Sequence, residues 1–238
     1  MRRSFISMTW TPDVNAADAR LLIRRIEDIY DLLRPHLGKE GQFDPLPAVR
    51  VFGAWELADA PDTTVYRGIE WILQHATARE SLRISAARYQ RLIELEPWQA
   101  TQPHFDLCLT DLPLDEDRPG CPPSQDVVGF SRRGMVSLMS TYPFKQVPME
   151  ALRRLGLQHL YAHYLGLMFD TPRPDRSSDI EEVDGDVYCT NLCAMRHTPT
   201  PARAIAFGQE QAGAGAIYCP ACQQNLVASI TSYHYGVN

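Results

Sequence analysis

Four cysteines in two close pairs constrain this chain more than any other feature of its sequence. Three residues separate Cys189 from Cys193, and two residues separate Cys219 from Cys222. Two such pairs match the ligand spacing of a closed, tetrahedral zinc site. The alternative is four unrelated buried thiols, which two close pairs in a chain with only six cysteines disfavour. The sequence therefore predicts one structural zinc ion held by these four cysteines.

The rest of the composition indicates an ordinary globular protein. Its 238 residues are 45% hydrophobic and 22% charged, enough for one sizeable α/β domain or two small ones. The net charge of −6 gives no support to a nucleic-acid partner, which normally requires a basic surface. We find neither a signal-peptide core nor a membrane-spanning run, and therefore expect a cytoplasmic protein. Cys108 and Cys121 stand alone, and Cys108 is expected to be a small buried apolar residue.

Hydrophobic periodicity predicts helices and strands over the first 169 residues. A helix is predicted where apolar residues recur every three or four positions, and a strand where they alternate or form a short run. The predicted helices cover 13–37, 63–80 and 149–169, and a further helix within 81–98 that stops before Pro97. The predicted strands are 48–57 and 105–109, with a β-hairpin at 127–140 that turns near Gly134. Residues 39–47 and 115–126 are predicted loops, because proline, glycine and charged residues are frequent there.

Beyond residue 169 the sequence predicts little regular structure. Residues 170–186 are polar, acidic and proline-bearing, which is typical of an exposed, mobile loop. Residues 197–216 are interpreted as a second irregular insertion, and 224–235 as a short helix or a frayed tail. The four cysteines would fasten this loop-rich part of the chain.

The helix predicted at 149–169 carries two histidines on one face. His159 and His163 are four residues apart, so both imidazoles can reach a single metal ion. A lone pair of this kind often occurs by chance, with each ring a satisfied core or surface group. This pair is followed by Gly166 three residues later and, further along, by the sequence Cys193-Ala194-Met195.

At these residues the sequence resembles the archaemetzincins, a family of zinc metallopeptidases. Their motif is HExxHxxGxxHC, followed by a cysteine, a Cys-x-Met and a final CxxC. The matching positions here are His159, His163, Gly166, Cys193, Met195, Cys219 and Cys222. The order of strand, hairpin and long helix upstream also resembles the family, so that the resemblance covers most of residues 48–222. It implies a metzincin-like fold and a zinc peptidase ancestry.

Three departures from the family motif bear on catalysis. Leu160 stands where the family has the glutamate that activates a zinc-bound water, and Phe169 stands where it has the third histidine ligand. The family's first cysteine directly follows that histidine, whereas here Asp170 does and Cys189 comes much later. We therefore expect no catalytic residue at the usual positions, and only a remnant of the catalytic zinc site at His159 and His163.

Taken with the resemblance, the residues predict an α/β fold with a mixed, mostly parallel sheet and packed helices. The expected division is an N-terminal helix and loop (1–47), a metzincin-like domain (48–169) and a zinc-fastened C-terminal subdomain (170–238). The first hypothesis is an inactive protein that keeps its structural zinc and binds a peptide or protein along the hairpin strand 135–140.

Two other hypotheses belong to different functional classes. One is an active zinc hydrolase with a rebuilt site, in which a residue from 170–197 joins the two histidines. The sequence offers Asp170, Asp175, His197 and the acids of 179–186 for that role. The other is a zinc-ribbon module for nucleic acid, which the negative net charge disfavours.

Overall fold

A five-stranded, mostly parallel sheet forms the centre of the molecule. The computed structural model describes Arg3 and residues 5–37, 46–54, 75–77, 83–95, 97–115 and 127–235. Its strands are β1 (Phe5–Trp10), β2 (Ala48–Ala54), β3 (Ile84–Ser85), β4 (Phe105–Thr110), β5 (Leu114–Asp115), β6 (Gly129–Arg132), β7 (Val136–Ser140), β8 (Ile180–Val183) and β9 (Asp186–Cys189). Its helices are α1 (Ala16–Leu33), α2 (Ala86–Glu94), α3 (Pro97–Thr101), α4 (Glu150–Met168), α5 (Pro201–Ala214) and α6 (Pro220–Tyr235).

The predicted mixed sheet is confirmed, with strand order β2-β1-β4-β7-β6. Strands β1, β2, β4 and β7 pair in parallel, and β6 runs antiparallel to β7. The sequence did not predict β1, which lies between β2 and β4 and so places residues 1–47 and 48–169 in one sheet.

The hairpin at 127–140 is confirmed, but the edge strand predicted within it is wrong. Gly134 lies in the turn with a φ of 75°, a left-handed conformation that glycine adopts without strain. Strand β7 is not an edge, because it pairs with β4 on one side and with β6 on the other. Within the described residues, β6 is the edge strand on this side of the sheet.

Helices α1 and α4 pack on one face of the sheet. The apolar stripe of α1 is buried, and Asn15 caps its first turn by accepting a hydrogen bond from the Ala17 N–H at 2.8 Å. Asp18 of α1 forms a buried ion pair with Arg153 of α4, which joins the starts of the two helices. Cys108 faces the opposite side of the sheet, where it is fully buried in a second apolar cluster that contains residues of α2.

The C-terminal third is more regular than predicted. Residues 201–214, interpreted as part of an irregular insertion, form helix α5, with Thr200 as its N-cap and Gly215 in the left-handed conformation after its end. Part of the predicted mobile loop is the hairpin β8–β9, whose turn at Asp184 and Gly185 has positive φ at both positions. The final segment is helix α6 rather than a frayed tail.

Several predicted elements lie outside the described residues. These are most of the helix at 63–80, the loops at 39–47 and 115–126 except for their end residues, and Cys121. The helix predicted at 81–98 is confirmed for 86–94. None of the helices in the described ranges has the length and hydropathy needed to cross a bilayer.

Gly208 allows α5 to pack closely against α4. A Cβ at this position would overlap the backbone carbonyl of Leu155, which cannot move without displacing its helix. Gly156 on α4 serves the same interface, because a Cβ there would lie 2.8 Å from the Ile205 side chain. Gly156 and Gly208 therefore set how closely the two helices approach each other.

We expect Gly208→Ala to lower the free energy of unfolding by about 1–3 kcal/mol, because the added methyl group overpacks the helix interface. Gly213→Ala is the matched control on the same helix, since nothing lies within 4 Å of its Cβ position. The control should stabilise the protein by about 0.5–1 kcal/mol through helix propensity. Urea unfolding of both variants measures the difference, and equal midpoints would contradict the close contact.

Candidate metal centre

Three elements bring the four cysteines together. Cys189 is the last residue of β9, and Cys193 follows in the turn after it. Cys219 directly precedes α6, and Cys222 lies in the first turn of that helix. The hairpin β8–β9 and the N-terminus of α6 therefore meet at the predicted site.

The geometry of the four sulfurs fits a tetrahedral metal ion. All four Sγ atoms lie within 4.8 Å of one another, and those of Cys189 and Cys219 are 3.7 Å apart. Sulfurs about 2.3 Å from a zinc ion at the centre of a tetrahedron would be about 3.8 Å apart. Four soft thiolates in a closed shell suit zinc in a structural role, and leave no position for a substrate.

Hydrogen bonds within the cluster favour the thiolate form most strongly at Cys219. The pKa of Cys189 is lowered to about 7, chiefly by a hydrogen bond from Cys193. The pKa of Cys219 lies well below the ordinary value, because Cys189, Cys193 and Cys222 all donate to its sulfur. The donors Cys193 and Cys222 have correspondingly raised pKa values. Binding of a metal would require the remaining thiols to lose their protons as well.

The two histidines lie on α4, fully buried, and both rings contact the C-terminal part of the chain. The Nδ1 of His159 donates to Gln211 Oε1 at 2.8 Å, and its Nε2 lies 2.9 Å from Thr198 Oγ1. The orientation of the Gln211 amide follows from its Nε2, which donates to the Ile217 carbonyl at 2.7 Å. Both ring nitrogens of His159 are therefore occupied by protein partners.

His163 supports the turn that carries Cys193. Its Nδ1 donates to the Ala194 carbonyl at 2.8 Å, and Ala194 lies between Cys193 and Met195. Burial lowers the pKa of His163 to about 3, and the pKa of His159 to about 4, so both rings are neutral at pH 7. Neutral imidazole is a competent metal ligand, and the two rings stack nearly parallel with their centroids 6.3 Å apart.

The positions of the missing catalytic groups belong to the hydrophobic core. Leu160 and Phe169 are both fully buried. The Phe169 ring packs edge-on against Phe105 of the central strand β4, with ring centroids 5.0 Å apart. Both side chains are therefore part of the apolar core.

The residues considered as a third ligand are engaged elsewhere. Asp170 forms an ion pair with Arg133, and Asp175 one with Arg173. The ring of Tyr188 stacks on His163 with centroids 6.0 Å apart, and it also contacts the ring of His197, which is tilted against it with centroids 4.6 Å apart. In the described ranges, the four cysteines are the one group of three or more potential ligands close enough for a metal ion.

Met195 packs beneath α4 at the glycine of the motif. A Cβ on Gly166 would overlap the Met195 sulfur, so the absence of a side chain at 166 permits this approach. The same turn is tied down by the Ala194 N–H, which donates to the Ile217 carbonyl at 2.9 Å. Gly166 and Met195 therefore join the helix to the cysteine cluster.

Two solved structures share this architecture. The archaemetzincin of Methanopyrus kandleri is 15% identical, with a TM-score of 0.54 over 96% of this chain and 96% of that chain. A zinc-dependent peptidase of Methanocorpusculum labreanum is 12% identical, with a TM-score of 0.54 over 93% of this chain and 99% of that chain. The fold is archaemetzincin-like. This confirms the predicted fold class and the resemblance in the sequence. No family model and no curated protein matches the chain.

The archaemetzincin-like fold depends here on partners that the sequence analysis did not single out. Gln211 and Thr198 hold His159 from outside α4, 52 and 39 residues away along the chain. Arg176 lies against two of the cysteine sulfurs. No local pattern marks any of the three, because each acts through a contact that only the folded chain makes.

Proposed function

We propose that this chain is a zinc-binding protein of metallopeptidase lineage that no longer hydrolyses peptides. The observation that carries the proposal is that both ring nitrogens of His159 have a hydrogen-bond partner within the protein. Nδ1 contacts Gln211, and Nε2 contacts Thr198. A histidine held in this way serves the fold, and one of the two remaining ligands of the ancestral site is thereby lost.

The chemistry of peptide hydrolysis supports the same conclusion. Water activation at neutral pH requires a metal with an open coordination position and a base within hydrogen-bond reach. Leu160 supplies no proton acceptor, and Phe169 supplies no ligand. Loss of the base alone generally lowers the rate by a factor of roughly 10² to 10⁴, before weaker metal binding is counted.

The zinc that we propose to remain is structural and bound by Cys189, Cys193, Cys219 and Cys222. Its role is to hold the β9 turn against the start of α6, because the four ligands come from those two places. Four cysteines that must stay reduced suit a reducing compartment, and we propose that the protein is cytoplasmic.

An extended peptide or protein segment is the partner that this fold would bind. Strand β6 has a single partner strand among the described residues, so its outer N–H and C=O groups can pair with an added strand. The edge proposed for this role is thus β6, in place of residues 135–140.

We expect no peptide cleavage by the purified protein in a diverse peptide library with zinc added. The matched variant is His159→Gln/His163→Gln, in which the amide group at position 163 can still donate to the Ala194 carbonyl as the His163 ring does. Both proteins should be equally inactive and should retain about one zinc per chain by elemental analysis, since the cysteines are intact.

Cleavage by the wild type that disappears in the double variant and in chelator would contradict the proposal. Loss of a second equivalent of zinc from the variant would likewise favour a rebuilt catalytic site. Cleavage that is equal in both proteins and disappears on further purification would come from a contaminating peptidase, whereas equal cleavage that stays with the pure protein would contradict the proposal.

A further inference from the structure

Arg176 approaches the cysteine cluster from the segment that precedes β8. Its Nη1 lies 3.3 Å from the Cys222 sulfur and 3.7 Å from the Cys189 sulfur. Only 8% of its side chain is exposed, which is unusual for an arginine. The two sulfurs belong to different cysteine pairs, so one guanidinium spans both halves of the site.

The position of Arg176 is fixed by its surroundings. Its Nη2 faces the Asp179 carboxylate at 3.4 Å, and its backbone N–H donates to the Arg173 carbonyl at 3.2 Å. The Asp179 carbonyl in turn accepts from the Thr190 N–H, the residue directly after Cys189. The Asp179 carboxylate thus orients the guanidinium, and the backbone hydrogen bonds fix the segment that carries it beside Cys189.

The charge of the site explains what an arginine does there. Four thiolates around a divalent zinc ion carry a net charge of −2, and all four cysteines are buried. A buried charge is strongly unfavourable unless it is paired and hydrogen-bonded. The other donors to the sulfurs are neutral, among them the Asn191 amide toward Cys219 and the Met195 N–H toward Cys193.

We propose that Arg176 is a positioning residue of the metal site, which pairs with the Cys189 and Cys222 thiolates and slows release of the metal. The inference rests on the proposed zinc at the four cysteines. Partners of metal ligands typically contribute 10- to 100-fold in metal affinity. Arg176 is placed to make such a contribution for two ligands at once.

The test is the rate at which zinc passes from the full-length protein to a chromogenic chelator. Arg176→Gln is expected to release zinc about 10- to 100-fold faster than the wild type. Arg176→Lys keeps the charge but not the two-pronged guanidinium, and should give an intermediate rate. The control is Arg173→Gln in the same segment, which removes an ion pair with Asp175 whose two side chains are 42% and 72% exposed. This control should match the wild type.

A spectroscopic measurement separates this role from a general structural one. With cobalt in place of zinc, the sulfur-to-metal charge-transfer band of Arg176→Gln should move to lower energy, because its thiolates have lost a cationic donor. Arg173→Gln should leave the band unchanged.

The outcomes distinguish this inference from the zinc proposal beneath it. If the wild type contains no zinc, the metal assignment itself is wrong. If all proteins contain zinc and Arg176→Gln matches Arg173→Gln in release rate and spectrum, the role of Arg176 is overturned. If Arg176→Gln fails to fold, the same two measurements are made on Arg176→Lys. A zinc-release rate and a charge-transfer band equal to those of the wild type overturn the proposal. Faster zinc release with a shifted charge-transfer band supports it.

Discussion

Replacing both Cys219 and Cys222 with serine is expected to release the zinc and unfold the C-terminal third of the chain. Because a structural site forms only in the folded state, its metal-binding energy is also folding energy. The two cysteines flank the first turn of α6 and meet Cys189 at the end of β9. The zinc content measured by elemental analysis should fall from about one ion per chain to none. Limited proteolysis with mass spectrometry should show new cleavage sites beyond residue 170.

Cys108→Ala is the control for this experiment. Cys108 is buried in the apolar cluster on the other face of the sheet, and burial raises the pKa of its thiol to about 11. Its replacement removes a thiol without touching the metal site, so the zinc content should be unchanged. A double serine variant that kept its full zinc content would show that the cysteine assignment is wrong.

Introducing the glutamate of the archaemetzincin motif by Leu160→Glu is expected to destabilise the protein and to produce no peptide hydrolysis. Leu160 is fully buried, and an unpaired charge in such a place typically costs about 3–5 kcal/mol. The introduced carboxyl should therefore have a pKa well above the value of about 4.3 that it has in the unfolded chain. Above that pH the unfolded chain loses the proton more readily, so stability should fall as the pH rises.

Urea unfolding between pH 4 and pH 8 measures this effect, and Leu160→Met is its control. Methionine is apolar and of similar volume, so its cost should stay below about 1.5 kcal/mol and should not depend on pH. A Leu160→Glu protein as stable as Leu160→Met, or one that cleaves peptides, would mean that an open catalytic cleft survives at this position.

Local signals were sufficient for the parts of the fold that sequence analysis predicted. The apolar stripe of α1 and the continuous helical pattern of α4 each lie within one element, and both helices are confirmed. The turn at Gly134 and the spacing of the four cysteines are likewise short-range patterns. Such features depend on residues close together in the chain, where periodicity and spacing carry most of the information.

Two elements were missed although their local signals were present. Thr200 and Pro201 stand at the N-cap and first position of α5, and Gly215 follows its end, which is the usual arrangement at helix boundaries. Asp184 and Gly185 are a common pair in a two-residue hairpin turn. The high polarity of the surrounding sequence was given more weight than these boundary residues.

The state of the histidines was beyond the reach of sequence analysis for a different reason. The spacing of His159 and His163 is the same in a metal site and in a structural pair. The difference lies in Gln211 and Thr198, which reach His159 only after α5 has packed on α4. Side-chain partners brought together by tertiary packing leave no spacing in the sequence to detect.

The hydrogen bond from His163 to the Ala194 carbonyl changes how such a chain can evolve. Once an imidazole anchors the turn that presents Cys193, loss of this hydrogen bond is expected to harm folding whether or not the protein has an activity. Under the proposed function, selection for a stable fold is then enough to keep the hydrogen-bonding side chain without a catalytic role, whereas a glutamate at position 160 would have no such role. A helical histidine pair can therefore outlast the reaction for which it arose.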